Sequence, residues 1–328
     1  MGTVLAVLAA LLLSLYLAIT ISPNPENSFW VERDDAVMPV WVRGNIESGV
    51  FVIFNHGGPG SSGTLESIIE ANPGDGQLGQ ESPLKALEED YAVVYWDQRH
   101  SGLSKGDVDP NESQPDDFGL DLAAVVEALD DRYAPDRVFV VGQSWGHFVA
   151  MNYLTSLESW QSNQARIDGY IGYKGNHEQG MAYEAARNAL MIHSESQIED
   201  GYDVDYWQGA IDFYQARPTL SEVEDYWTHY EYLDHAMGAS ISLPSRIWSS
   251  VRASFFSPFN GFTYYSNNRA TNQAEDFMEL VVTDRSIRTT IDRLTVPTLL
   301  VYGRHDLIAP VEDGFSDLDR SDQVMAPV

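Results

Sequence analysis

The chain has 328 residues, with 44% hydrophobic and 12% aromatic side chains, enough to bury a sizeable core. Its 49 acids against 19 bases give a formal net charge of -30, and Lys85, Lys105 and Lys174 are the only lysines, which argues against nucleic acid as a partner. It has no cysteine, so disulfides, thiol nucleophiles and Cys-ligated zinc are excluded.

Residues 4–21 form an uncharged apolar run ending near Pro23 and Pro25. About 18 such residues lie at the lower edge for spanning a bilayer and exceed a typical signal-peptide core. The reading is an N-terminal membrane anchor or signal segment over residues 1–22, a membrane-anchored, secreted or periplasmic protein, and membrane association through residues 4–21.

From Phe29 onward "FWVERDDAVMPVWVRG" alternates like a strand, and "GVFVIFNHGGPG" is a short apolar run halted by glycines. "YAVVYWDQRHSGLS" repeats that design. "LESIIEANP" and "DDFGLDLAAVVEALDDRYAPD" show helical spacing with acidic first turns. "VFVVGQSWGHFVA" runs a strand through a sharp turn into a helix, "RIDGYIGYKGN" reads as the next strand, and "VPTLLVYGRHDLIAP" as a later one. Strands alternating with helices predict an α/β chain with a doubly wound, mostly parallel sheet. Residues 177–290 lack glycine-punctuated strands and are rich in aromatics, which predicts a helical insertion. The expected organisation is a first core part over 23–176, the insertion over 177–290 and a second core part over 291–328.

In Gly142-Gln143-Ser144-Trp145-Gly146 the glycines permit a sharp turn that exposes the serine hydroxyl, which predicts Ser144 as a nucleophile. In His56-Gly57-Gly58-Pro59-Gly60 a glycine-rich loop follows a strand. Acyl transfer builds charge on a carbonyl oxygen, so the N–H of Gly57 or Gly58, with that of Trp145, is the expected oxyanion hole.

Together "HGGPG", "DQRHSGLS", "GQSWGHFVA" and "VPTLLVYGRHDLIAP" resemble the α/β-hydrolase fold, and more narrowly its proline iminopeptidase-type branch of serine hydrolases. That resemblance implies a helical cap over 177–290 and a Ser, Asp, His triad in that order. It carries Asp306 over as the triad acid and implies an aminopeptidase acting on short peptides, with no cofactor and no metal. An esterase of small acyl substrates is the alternative. The branch holds the substrate amine on cap acids, for which Glu178, Glu184 and Glu231 are candidates by position only. Asp97 and Arg99 are expected to tie down the loop after their strand, and no role is assigned to His100, which stands where glycine is more usual.

The triad histidine should follow Asp306, yet none does. Average element lengths also predict that the last strand and the histidine loop are missing. His305, His147, His229, His235 and His56 are each poor substitutes by position. The readings left open are a fragment of a longer hydrolase, a catalytically inactive binding protein, and an enzyme with an unorthodox base.

Overall fold

The computed structural model describes residues 27–66, 83–175, 178–238, 259, 274–283, 289–303 and 324–327. Strand β1 (Ser28–Arg33) pairs antiparallel with β2 (Ala36–Gly44), and β2 antiparallel with β4 (Ala92–Trp96). From there the sheet is parallel: β4, β3 (Val50–Asn55), β6 (Arg137–Gln143), β7 (Gly169–Tyr173), β8 (Thr298–Tyr302) and β9 (Val324–Pro327) lie side by side in that order. The two-residue β5 (Lys105–Gly106) joins β2 off this path.

The apolar runs are continuous because both faces of the sheet are covered. Successive side chains alternate between faces. Phe51 and Ile53 of β3 join the cluster that includes Phe118, Leu122, Val125, Val126 and Leu129 of helix α3 (Pro115–Tyr133). Val52 and Phe54 join Val93, Tyr95 and Val141 on the other face, with Leu84 and Leu87 of α2 (Pro83–Leu87) against them. The apolar residues of α3 recur at helical spacing, so one stripe faces the sheet. Its start is fixed by Pro115 at the first position and by the Gln114 N–H donating to Asp117 Oδ2 at 2.9 Å. Besides the short α1 (Gly63–Glu66), the chain adds α4 (Trp145–Met151), which continues into a π-helical turn (Asn152–Ser156), and α5 (Trp160–Gln164).

The described part of the aromatic-rich region is largely helical. Helices α6 (Gln179–Glu199), α7 (Val204–Ala216) and α8 (Val223–Ala236) enclose a second cluster built on Tyr183, Leu190, Trp207, Tyr214 and Leu233. Helix α9 (Glu275–Thr283) instead puts Phe277, Met278, Val281 and Val282 into the cluster on the sheet.

Two expectations are corrected. The final strand is present: Leu299 through Tyr302 of β8 pair with Val324 through Pro327 of β9 in parallel register. Average element lengths overstated what the connection needs: β8 ends at Tyr302 and β9 begins at Val324, a shorter span than those averages require. Membrane anchoring is also withdrawn, and with it the secreted or periplasmic placement that rested on the same segment. Among the described residues no helix is long and apolar enough to cross a membrane, and residues 4–21, on which the expectation rested, lie outside them.

Candidate active site

Register brings three loops together. Asn55 at the end of β3 stands opposite Gly142 of β6, and Phe54 stands opposite Tyr95 of β4. The segments starting at His56, Asp97 and Ser144 therefore leave the sheet side by side at the carboxyl ends of its parallel strands, where open α/β sheets place their ligands.

Ser144 is the single residue between β6 and α4, with φ 51° and ψ -118°. A side chain resists this backbone region, so the surroundings must impose it. They do so by contact. A Cβ on Gly142 would lie 2.6 Å from the Gly146 carbonyl oxygen, and one on Gly146 would lie 2.0 Å from that of Asn55. The end of β6 is thus folded onto the start of α4, which is itself pressed against the end of β3. The Ser144 N–H donates to the Tyr173 carbonyl at 3.0 Å, and its own carbonyl accepts from the His147 N–H at 2.9 Å. The residue is left half-buried.

Gly57 lies against the serine: a Cβ built on it would stand 3.3 Å from Ser144 Cβ and 3.9 Å from Oγ. Gly58 has φ 123° and would drive a Cβ to 2.7 Å from the Gly60 nitrogen, so the loop turns where only glycine fits. Trp145 is the first residue of α4, with its ring buried between Phe118 at 5.2 Å and Phe148 at 5.0 Å.

The segment after β4 braces this loop. Buried Asp97 accepts from Ser62 Oγ, the Thr64 N–H and hydroxyl, and the Leu103 N–H. Burial nevertheless pushes its carboxyl up to about 6, with the Thr64 and Leu103 N–H groups and the Thr64 and Ser62 hydroxyls opposing. Arg99 closes on Asp121 through Nε at 2.6 Å and Nη2 at 2.8 Å, and Arg33 reaches the same carboxylate at 2.9 Å. Asp97 and Arg99 thus hold the loop as their position in the sequence suggests. Gln98, between them, escaped the sequence reading. It bonds both His56 and Trp145, and only its place two residues past a strand end could have drawn notice.

The described histidines are committed elsewhere. His56 is buried; its Nδ1 donates to the Gly57 carbonyl, its Nε2 accepts from the Gln98 N–H, and burial lowers its pKa to about 4. His147 is buried below the turn with Nδ1 on the Tyr170 hydroxyl, and a Cβ on Gly175 would strike its ring. His100, at φ 55°, bonds Ser113 at 2.7 Å. His229 bonds the Tyr214 hydroxyl at 3.0 Å, and burial lowers it to about 4. His193 and His235 pack on the Trp207 ring. Among the described residues no histidine ring hydrogen-bonds Ser144. Asp306, His177 and His305 lie outside the described residues, although β8, which leads toward Asp306, ends at the same sheet edge two strands from β6. Glu178 is half-buried just before α6, while Glu184 and Glu231 are exposed. Among the described residues no three His, Asp or Glu side chains gather as a metal cradle.

The sequence of residues 50–321 matches the model of the alpha/beta hydrolase fold family. The chain is 25% identical over 259 residues to the probable aminopeptidase YbaC of Bacillus subtilis, covering 75% of this chain and 74% of that protein. It is 22% identical over 297 residues to a proline iminopeptidase of Neisseria meningitidis, covering 89% of this chain and 86% of the other. Among solved structures it superposes on the proline iminopeptidase of Mycobacterium smegmatis with a TM-score of 0.51 at 16% identity, covering 92% of this chain and 90% of that one. A family match over most of the chain, on a sheet of this order, makes the protein a member of the alpha/beta hydrolase fold family, a hydrolase resembling proline iminopeptidases.

Proposed function

We propose that the chain is a serine hydrolase that removes the N-terminal residue from short peptides. The observation that carries the reading is Ser144, held at positive φ between a strand and a helix with the Gly57 backbone against it. Ser144 Oγ attacks the acyl carbon of the scissile amide and gives its proton to a base. The N–H groups of Gly57 or Gly58 and of Trp145 receive the oxyanion. The C–N bond breaks, the amine leaves with a proton, and water then cleaves the acyl-enzyme to a carboxylic acid and free serine. Asp306 is the acid that orients the base in this reading. None of the six described histidines hydrogen-bonds Ser144: His56, His100, His147 and His229 bond other groups, and His193 and His235 pack on Trp207. The aminopeptidase and proline iminopeptidase names of the two relatives support the choice of an N-terminal peptide substrate.

A fluorophosphonate probe on the purified protein tests the chemistry. Labelling that disappears in Ser144→Ala supports it, and a folded protein that takes no label overturns it. Turnover of aminoacyl p-nitroanilides over p-nitrophenyl esters then supports the peptidase reading, and the reverse preference favours an esterase. A second reading, a binding protein that uses the same cleft without turnover, is favoured by the engagement of the described histidines elsewhere. It predicts a folded protein inert to the probe.

A further inference from the structure

Gln98, the second residue after β4, is fully buried and makes three hydrogen bonds. Its backbone N–H donates to His56 Nε2 at 3.2 Å, its side-chain Nε2 donates to the His56 carbonyl at 3.0 Å, and its Oε1 accepts from the Trp145 indole Nε1 at 2.8 Å. An indole N–H can only donate and a carbonyl can only accept, so the orientation of this amide is fixed. One planar group therefore bridges the residue before Gly57 and the residue after Ser144.

We propose that Gln98 is the positioning residue that sets the two oxyanion-binding N–H groups in register. The inference rests on the serine hydrolase reading and adds to it a residue that touches neither substrate nor nucleophile. In a trans peptide the C=O and N–H point in opposite directions. Pinning the His56 carbonyl thus aims the Gly57 N–H away from Gln98. The 56–57 bond is trans, since among the described residues the cis peptide lies at Gly58-Pro59. On the other side, the Trp145 ring is wedged against Phe118, Phe148 and Phe277. Tethering its Nε1 fixes the orientation of the residue whose N–H is the second donor. Ser101 Oγ, which accepts from the Gly60 N–H at 3.2 Å, pins the far end of the same loop.

The test uses the full-length protein with Gln98→Ala and Gln98→Glu. The rate of Ser144 phosphonylation is resolved into the maximal rate and the half-saturating probe concentration, and amide hydrogen exchange is followed in parallel. Removing one oxyanion donor costs about 100-fold or more, and displacing donors by a fraction of that gap is expected to slow the maximal rate in Gln98→Ala by about 10-fold to 100-fold. The half-saturating concentration should stay within about twofold. Gln98→Glu should label slowly when ionised, since one oxygen then faces the His56 carbonyl, and recover as the pH falls and its proton restores the donor. Exchange should quicken together in peptides covering 56–60 and 144–148 of Gln98→Ala and stay unchanged in α3. A slowing equal to that of Val125→Ala at a matched melting temperature would overturn the inference, as would unchanged labelling and exchange. If the wild-type protein takes no label, the hydrolase reading fails by itself. Coupled exchange of the two segments then still decides whether Gln98 holds them together.

Discussion

Gly57 and Ser144 lie in contact across two strand ends, so close that a Cβ on the glycine would meet the serine Cβ at 3.3 Å. That distance is short of ordinary van der Waals contact by a few tenths of an ångström. Gly57→Ala should therefore shift the loop or the serine slightly, and misplacement on that scale is expensive in rate. The expected outcome is about a tenfold or greater loss of Ser144 labelling rate, with little change in melting temperature.

Gly146 tests the turn itself. Its missing Cβ would fall 2.0 Å from the Asn55 carbonyl oxygen and 2.6 Å from that of His56, both backbone atoms that cannot swing aside. Gly146→Ala is expected to cost about 3 kcal/mol or more, because overpacking here must move a whole strand end. Urea unfolding followed by tryptophan fluorescence measures it, and a loss under about 1 kcal/mol would contradict the tight packing of Gly146 on the end of β3.

Asp121 is fully buried and serves two guanidinium groups, Arg99 and Arg33. Asp121→Ala leaves both cations without this partner, and breaking a buried pair from one side costs about 3–5 kcal/mol. Arg33 is partly exposed and keeps Asp34 and Asp117. The expected loss is therefore about 3 kcal/mol, at the lower end of that range. The same denaturant titration checks it.

Asp97 gives an unusual pH dependence. Its carboxyl is raised from 3.8 to about 6, so between those values the folded chain holds a proton that the unfolded chain has released. Its contribution to stability is greatest below the unfolded value and is lost as the pH rises through about 6. The wild-type minus Asp97→Asn difference in unfolding free energy should therefore decline from pH 4 to pH 6. A difference that grows over that interval would contradict the burial argument.

His229 acts in the opposite direction. Burial lowers it from 6.5 to about 4, so on acidification the unfolded chain takes up a proton first. Stability present above pH 6.5 is lost as the pH falls toward 4, and His229→Phe should flatten that slope in a series of thermal melts.

The strands, the order of the core elements and the sharp turn at Ser144 were legible in the sequence. Apolar runs and glycine spacing report on conformations set within a few residues, as "VFVVGQSWGHFVA" does for β6, Ser144 and α4. The return of the chain to β9 was missed because average element lengths do not bound a particular connection. The packing of α9 into the sheet-side core through Phe277 was equally hidden, since its helical spacing matches that of helices packed elsewhere.

The sequence by itself determined where the chain can turn sharply and which residue there carries a hydroxyl, because glycine freedom and side-chain chemistry are properties of single residues and their neighbours. Only the tertiary structure decided what surrounds them. Strand register places Asn55 beside Gly142 and so brings Gly57 to Ser144. Folding sends His147 beneath the turn to Tyr170 and spans His56 and Trp145 with one amide from Gln98. Those partners lie 23 to 47 positions apart in the chain, and contacts at such separations follow from how the elements pack, which no local pattern records.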